Sequence, residues 1–362
     1  MPDPTVLPQR LHNQKLIQSD LTTPAAIVGW LGAVQAQDFP AAKWALCMRA
    51  RGGLLDLDVE QAFNDGAILR THVLRPTWHF VTPADIRWML MLSAPRVHAA
   101  SAYYYRQAGL DAKVFARSCA MLQRALDGGR FLTRTELAVH LRRAKVPADG
   151  LKLAYLMMHA ELEGIICSGP RRGKQFTYAL LAERAPQAGL VFDRDQALAE
   201  LASRYFRSHG PATLRDFAWW SGLTVKEART GIAAATPALV ESELDGRRYW
   251  GPADTARPST KGPVVFLLPN YDEYLIAHKD RGPVVESSRS ANLVARTNGG
   301  FAHHLIIDGR LAGGWRRTLQ GHVVGVEVAP YRPLTSAQKG AVDVAADRYG
   351  DFLNQRAELR VV

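Results

Sequence analysis

The most informative segment for the architecture is residues 133–180, which read TRTELAVHLRRAKVPADGLKLAYLMMHAELEGIICSGPRRGKQFTYAL. Thr133 and Glu136 have the spacing of a capping box, so a helix is predicted to begin there. A second run, from residue 151, carries apolar side chains at helical spacing and is predicted to end at Gly164. The segment therefore begins with two short helices in succession.

Two strands follow these helices. Ile165–Cys167 and Gln175–Leu180 flank a basic turn, and together they predict a hairpin with a positively charged tip. Helix, helix and hairpin is the order of a winged-helix unit, a fold that often binds DNA and sometimes only packs against protein. Residues 213–250 repeat this order. The repeat consists of a helix ending at Gly222, a helix over Val225–Ala235, and strands 239–243 and 247–250 around a turn at Asp245-Gly246.

The two ends of the chain have different patterns. A helix is predicted to begin at Thr22-Thr23-Pro24 and to end between Gln35 and Phe39, because Pro40 disfavours helix just before it. After residue 258 the pattern changes to strands, with a type I′ hairpin turn at Asp308-Gly309. These strands are interpreted as an antiparallel meander or small barrel. A helix is predicted over Ser336–Arg356.

The predicted fold class is mainly α with β, an α+β chain of tandem winged-helix units followed by a small antiparallel β-rich or barrel domain. Four domains are predicted, and the first contains the segment with two glutamines that is described below. Their bounds are 1–125, 126–190 and 191–257 for three winged-helix domains and 258–362 for the β-rich domain.

Composition and the absence of certain motifs limit the classes of function that the chain can have. The 362 residues carry a formal charge of +11, which indicates either an anionic partner such as nucleic acid or a codon bias toward arginine. The three cysteines form no CxxC pair, and no Walker loop, GxSxG elbow, HExxH or GxGxxG motif is present. No metal and no cofactor are therefore predicted. The chain has neither a secretory signal nor a membrane-spanning run, so a cytoplasmic, nucleoid-associated location is expected.

One segment combines polar and apolar residues unusually. Gln35-Ala36-Gln37 follows an apolar helix and precedes Pro40. Taken alone, the two glutamines are interpreted as surface residues at a helix end. In extended backbone, however, residues two apart face the same side, so both carboxamides would point into one cleft.

This segment resembles the glutamine–aliphatic–glutamine motif of the AlkZ-type DNA glycosylases, the YcaQ-like winged-helix family. Three further segments resemble that family in the same order along the chain: Leu74–Val81, Leu267–Leu275 and Gly313–Arg317. A related branch of the family has Asp at the position of Gln37, so Gln37 indicates the AlkZ-like branch. The resemblance implies three winged-helix units and a β-rich domain around a basic channel.

The resemblance also implies a reaction, hydrolysis of the N-glycosidic bond of alkylated purines, including bulky N7 adducts and crosslinks. Alkylation at N7 gives the purine a positive charge, so it leaves without protonation and the enzyme needs no strong acid. On this hypothesis Gln35 and Gln37 are catalytic: they orient a water and face the cationic sugar. No lysine is placed as a Schiff-base nucleophile, so a monofunctional enzyme is predicted.

Basic residues at the predicted hairpins are candidates for contacts with DNA phosphates. They are Arg171, Arg172, Lys174, Arg247, Arg248, Arg316 and Arg317. Arg75 and His79 are predicted neighbours of the site, and the acidic pair Asp272-Glu273 is interpreted as a helix cap. The expected partner is double-stranded DNA with alkylated bases, bound by a monomer without membrane contact.

Two alternatives remain open at this point. One is a transcriptional regulator that reads operator DNA with its winged helices, as a dimer. Nothing in the sequence resembles a dedicated dimer segment, which counts against it. The other is an interaction module that has kept the fold without catalysis.

Overall fold

The computed structural model describes residues 6–186, 191–236, 238–244, 246–253, 262–285 and 303–362. The fold mixes helices with small sheets, as the predicted fold class requires. None of the described helices is both long and apolar enough to cross a membrane.

The amino-terminal region places a small sheet among six helices. Its elements are α1 (Val6–Asn13), α2 (Pro24–Leu31), β1 (Val34–Gln35), α3 (Phe39–Cys47), α4 (Asp56–Asp65), β2 (Leu69–Val73), β3 (Thr77–Val81), α5 (Ile86–Gln107) and α6 (Ala112–Leu126). The strands pair antiparallel in the order β1-β3-β2.

The predicted end of the first long helix was wrong. Helix α2 ends at Leu31, and Gly32 takes a φ of +83°, a conformation that glycine adopts at little cost. Pro40 lies in the first turn of the next helix, where the missing N–H costs nothing. Asp38 caps that helix by accepting from the N–H of Ala41 at 3.1 Å. The glutamine segment is therefore strand and turn, not the end of a helix.

The predicted elements of the second region are confirmed. They are β4 (Leu132–Thr133), α7 (Arg134–Arg143), α8 (Gly150–Leu162), β5 (Ile166–Ser168) and β6 (Thr177–Leu180), followed by α9 (Leu181–Arg184). The capping box also forms, since Thr133 accepts from the N–H of Glu136 and the Glu136 carboxylate accepts from the N–H of Thr133.

The third region contains one helix that was not predicted from the sequence, α10 (Arg194–His209). The predicted elements follow it as α11 (Leu214–Ser221), α12 (Val225–Ala235), β7 (Leu239–Leu244) and β8 (Arg247–Pro252). Gly222 ends α11 in the left-handed conformation. Of the predicted hairpin turn, Asp245 lies outside the described residues.

The carboxy-terminal region is built on five strands. Its elements are β9 (Val265–Leu268), α13 (Glu273–Ile276), β10 (His303–Ile307), β11 (Arg310–Gln320), β12 (Val323–Pro330), α14 (Ser336–Leu353) and β13 (Arg356–Val361). The turn between β10 and β11 has positive φ at Asp308 and Gly309, as a type I′ turn requires.

The prediction of a wholly antiparallel meander or barrel was wrong in two respects. Within the described residues the sheet is open, in the order β13-β12-β11-β10-β9. Strand β13, which was not predicted and begins at the last residue of the predicted helix, pairs parallel with β12. Helix α14 makes the crossover that parallel neighbours need, which explains why the chain returns to the sheet beside β12.

The hydrophobic core of this sheet includes the beginning of the chain. Leu7 and Leu11 of α1 and Trp44 of α3 are buried in one cluster with Trp315 and Tyr349. Trp44 donates its indole N–H to the carbonyl of Leu267 at 2.7 Å, and its ring meets that of Tyr349 edge-on at 4.9 Å. The amino-terminal helices are thus held against the last sheet. The division into four domains stays a prediction.

Candidate functional site

Gln35 lies on the edge strand of the first sheet, and Gln37 lies at a bend two residues later. Gln35 lies on β1 opposite His79 of β3, and the N–H of Ala36 donates to the carbonyl of Trp78 at 2.7 Å. Gln35 is buried, whereas Gln37 is exposed. Strand pairing therefore fixes the backbone of the first glutamine and leaves the second at the surface.

The side chains of the two glutamines also differ in their contacts. Nη2 of Arg75 donates to Oε1 of Gln35 at 3.3 Å, so this carboxamide has a fixed orientation. The side chain of Gln37 makes no hydrogen bond or ion pair with any residue that the structure describes. One carboxamide is thus held by the protein and the other is available to a ligand.

A buried carboxylate lies directly behind the strand. Glu273, the first residue of α13, accepts from the backbone N–H of Gln35 through Oε1 at 2.8 Å. Its Oε2 accepts from the indole N–H of Trp220 at 2.9 Å and lies 3.7 Å from Nε2 of His209. A helix at the start of the chain's last region therefore holds the glutamine segment in place.

The surroundings of Glu273 keep it ionised. Burial raises its pKa, but His209, His79 and the hydrogen bond from Gln35 outweigh this and lower the pKa to about 2. The site therefore contains a dry negative charge beneath the strand that carries the motif.

The two predicted neighbours, Arg75 and His79, do lie at this site. The guanidinium of Arg75 is 5.7 Å from the ring centre of Trp219, and burial lowers its pKa. Nδ1 of His79 bonds the carbonyl of Thr77 at 2.9 Å, while Nε2 is buried with no partner among the described residues. Burial and the nearby Arg75 lower the pKa of His79 to about 4, so this imidazole is neutral at pH 7.

An ion pair next to Glu273 joins the site to the core. Arg49 donates to both carboxylate oxygens of Asp272 at 2.8 and 2.9 Å, and both side chains are almost wholly buried. Nη2 of Arg49 also donates to Oε1 of Gln14 at 3.0 Å. Asp272 caps α13, as its position in the sequence indicates, by accepting from the N–H of Tyr274. Asp272 and Glu273 thus anchor α13 to two different parts of the amino-terminal region.

Glu273, Trp220 and His209 were not identified as site residues from the sequence. Glu273 belongs to one of the four family-like segments, and an acidic pair between apolar residues in a basic chain was the available signal. No signal in the sequence pointed to Trp220 or His209. Both lie far from the motif along the chain, so their contact with Glu273 is visible only in the structure.

The residues predicted to contact DNA lie on three separate hairpins, and their exposure differs. Lys174 is exposed and makes no hydrogen bond or ion pair within the described part of the chain. Arg248 is 71% exposed beside Glu241. The others have protein partners. Arg172 bonds Glu136, Arg247 bonds Asp280, Arg316 bonds Glu327 and Arg317 bonds Tyr349.

Among the residues predicted to contact DNA, Arg171 is the least accessible to a phosphate. Its side chain is 15% exposed and lies 3.5 Å from the carboxylate of Glu60. The guanidinium packs over the rings of Phe39 and Phe176, at 5.0 and 4.9 Å from their centres. These contacts connect the second hairpin to the helix that follows the glutamine segment.

The chain is similar to known proteins in sequence and in structure. The model of the family described as DNA glycosylase AlkZ-like matches residues 28–352. An interstrand DNA cross-link repair glycosylase of Streptomyces sahachiroi is 25% identical over 349 residues, 93% of this chain and 94% of the relative. The fold matches that of the Streptomyces sahachiroi DNA glycosylase AlkZ with a TM-score of 0.82 and 22% identity over all of both chains. The chain therefore belongs to the AlkZ-like family of DNA glycosylases, the family that its glutamine motif and three further segments predict.

Proposed function

We propose that this protein hydrolyses the N-glycosidic bond of N7-alkylated purines in duplex DNA, with Gln35 and Gln37 orienting the attacking water. The substrates include bulky adducts and interstrand crosslinks, in line with the name of the relative from Streptomyces sahachiroi. The observation that carries the proposal is that Arg75 holds the carboxamide of Gln35, while two residues later the side chain of Gln37 is exposed and has no partner among the described residues.

The two carboxamides have complementary parts in this reaction. Oε1 of Gln35 accepts one hydrogen bond from Arg75 and retains a second lone pair, which can accept from a water. Gln37 reaches outward from the surface and completes the water's coordination at the lesion. Neutral dipoles suffice because a cationic N7-alkylpurine is already a good leaving group.

Glu273 supplies the negative charge that the two glutamines lack. The departing purine leaves an oxocarbenium-like sugar, whose positive charge a nearby anion stabilises most strongly in a dry environment. The Glu273 carboxylate is fully buried behind Gln35 and ionised, with its pKa near 2. It acts as a positioning residue through the N–H of Gln35 and as a source of electrostatic potential.

The reaction is proposed to stop at the abasic site, without strand cleavage. Lys43, the first lysine after the motif, is buried and bonds Asp56 and Glu60 at 2.6 and 2.8 Å. A lysine amine that is engaged by two carboxylates is not available as a nucleophile. Borohydride treatment during turnover is therefore expected to trap no covalent complex of protein and DNA.

The experiment that tests the function is a base-excision assay on duplex DNA. The substrates carry N7-methylguanine or a bulkier N7 adduct, and alkali reveals abasic sites. Cleavage of either lesion establishes a glycosylase, and a crosslinked duplex then extends the test to crosslinks. Salt-dependent binding without cleavage of any of these substrates would favour the non-enzymatic interaction module. The transcriptional regulator is not favoured, because the family is one of DNA glycosylases.

We further propose that residues 133–180 and 213–252 form winged-helix units that hold the DNA. The order of helices and hairpins in both, and the basic residues at both hairpins, support this interpretation. Lys174 and Arg248 are the predicted phosphate contacts with the highest availability, since Lys174 has no protein partner in the described structure and Arg248 is largely exposed.

Lys174→Ala and Arg248→Ala are each expected to reduce the salt dependence of DNA binding. Each lost phosphate contact lowers the slope of log K against log salt concentration by about one unit, without sequence preference. Fluorescence anisotropy across a salt series measures this slope. Arg171→Ala is the matched comparison. Because Arg171 is packed on Phe39 and Phe176, it should lower stability and leave the slope unchanged. If wild type and all three variants have the same slope, neither hairpin belongs to the proposed interface.

Glu273→Gln is expected to lower both stability and excision. An amide offers one oxygen in place of two, so the N–H of Gln35 or of Trp220 loses its acceptor, at a cost of about 1–3 kcal/mol. Loss of the charge is expected to slow excision roughly tenfold, equivalent to about 1.4 kcal/mol of transition-state stabilisation.

The pH dependence of stability gives a second readout for Glu273. Its pKa is depressed in the folded protein to about 2, so its contribution is complete above the ordinary carboxylate pKa of 4.5. That contribution is lost as the pH falls from 4.5 toward 2. Urea denaturation across this range should show a shallower acid limb in Glu273→Gln than in wild type. Glu358→Gln, at an exposed position on β13, serves as control and should leave the limb unchanged.

A further inference from the structure

A cluster of metal-ligating side chains lies where three helices meet, on elements that the proposed reaction does not use. His98 belongs to α5, Cys119 to α6 and His159 to α8, and Glu163 follows the last residue of α8. Nε2 of His98 lies 3.0 Å from Oε1 of Glu163. One ligand atom from each of His98, His159 and Glu163 lies within 4.8 Å of the others. No sequence motif predicts this cluster, because its members are spread over 66 positions of the chain.

The two imidazoles are held in position by their neighbours. The ring of His159 stacks on that of Phe115 with centres 3.9 Å apart and an angle of 11° between planes. Nδ1 of His98 lies 3.3 Å from the hydroxyl of Tyr105, the kind of outer contact that orients a metal-binding histidine. Nε2 of His98 is buried and makes no well-formed hydrogen bond within the described structure, although it faces the Glu163 carboxylate. A cation between them would satisfy both groups.

The chemistry of the three ligands suits zinc. Two imidazoles and a carboxylate are one donor set of open, four-coordinate zinc sites, in which a water takes the fourth position. With Zn–N bonds of about 2.0–2.1 Å, tetrahedral donors lie about 3.3 Å apart. His98 and Glu163 are already near this spacing, and the three ligand atoms, all within 4.8 Å of one another, need only small side-chain movements to reach it.

We propose that His98, His159 and Glu163 form a zinc site that joins α5 to α8. The site is independent of the proposed base excision, and its test does not use that activity. Cys119, whose Sγ lies 3.8 Å from Nδ1 of His159, forms one wall of the site. Bound zinc would lock α8 against α5. On the other side of α8, the Glu161 carboxylate accepts from the backbone N–H of His72 on β2, so the metal stabilises the packing of the sheet that carries the glutamine segment.

The test uses full-length protein without an affinity tag, treated with a chelator and titrated with zinc chloride by calorimetry. We expect one zinc ion per chain and a thermal unfolding midpoint that rises with zinc. Glu163→Gln and His159→Gln should each weaken zinc binding at least tenfold, whereas His322→Gln, at an exposed position after β11, should bind as wild type.

Glu163→Gln keeps the test decisive even if His159→Gln does not fold. His159 is stacked against Phe115, so its replacement can disturb the core, but the Glu163 side chain is 48% exposed at a helix end. Far-UV circular dichroism establishes that the Glu163→Gln fold is retained. Failure of wild type to bind zinc at one equivalent overturns the proposal. Wild-type affinity in folded Glu163→Gln overturns it as well.

Discussion

Gln37→Ala is expected to reduce single-turnover excision of an N7-alkylpurine by about 100- to 1,000-fold, the effect of removing one hydrogen-bonding group that faces a transition state. Its affinity for the same DNA should stay within about twofold of wild type, because a water ligand contributes little to the binding of the duplex. Stability should also change by less than about 0.5 kcal/mol, since the side chain is exposed and unpartnered in the described structure.

These expectations allow catalysis to be separated from folding and from binding. Single-turnover kinetics with excess enzyme give the excision rate, and anisotropy gives the affinity. Gln123→Ala is the matched control, because it removes an exposed glutamine from α6 without touching the site. Excision by Gln37→Ala at the wild-type rate would exclude the glutamine motif as the origin of the reaction.

Arg49→Met is expected to destabilise the protein by about 3–5 kcal/mol. The side chain donates to both oxygens of Asp272, and neither residue is accessible to water, so the substitution leaves a buried carboxylate without its counter-charge. Because Asp272 caps α13, the loss should spread to Glu273 and to the strand that carries Gln35. Urea denaturation at pH 7 measures the loss.

A double-mutant cycle tests whether the pair itself is responsible. Arg49→Met combined with Asp272→Asn removes both charges and retains a cap for α13, so it should be more stable than the sum of the single changes predicts, by about 0.5–3 kcal/mol. Arg51→Met, an exposed position nearby, should change stability by less than about 0.5 kcal/mol. Strict additivity in the cycle would show that packing, and not charge, explains the effect.

Much of the fold was predictable from local signals. The capping box at Thr133, the glycine stop at Gly222 and the Asp308-Gly309 turn each depend on a few neighbouring residues, and each forms as predicted. The errors arose where contacts between distant residues decide where a helix begins or ends. Pro40 is compatible with the end of one helix or the beginning of another, and the packing of Trp44 into the carboxy-terminal core favours the second.

The site was predictable only in its linear part. Gln35 and Gln37 are two residues apart in the sequence. His79 lies on the strand that pairs with Gln35 and Arg75 on the turn before it, so a family-like motif and a hairpin were enough to suggest them. Glu273 reaches Gln35 across 238 positions. No periodicity encodes such a contact, and the apolar surroundings that make this carboxylate effective belong to several distant helices.

The shared core of the first and last segments has a consequence for synthesis on the ribosome. Helix α3 carries Trp44 early in translation, but its partners Trp315 and Tyr349 emerge some 270 to 300 residues later. Arg49 is separated from its partner Asp272 by 223 positions, and Gln35 from Glu273 by 238, so both also lack their partners during most of synthesis. A truncated nascent chain is therefore inert toward DNA bases and exposes apolar surface to chaperones and proteases. Competence to cut glycosidic bonds arises only in a finished molecule.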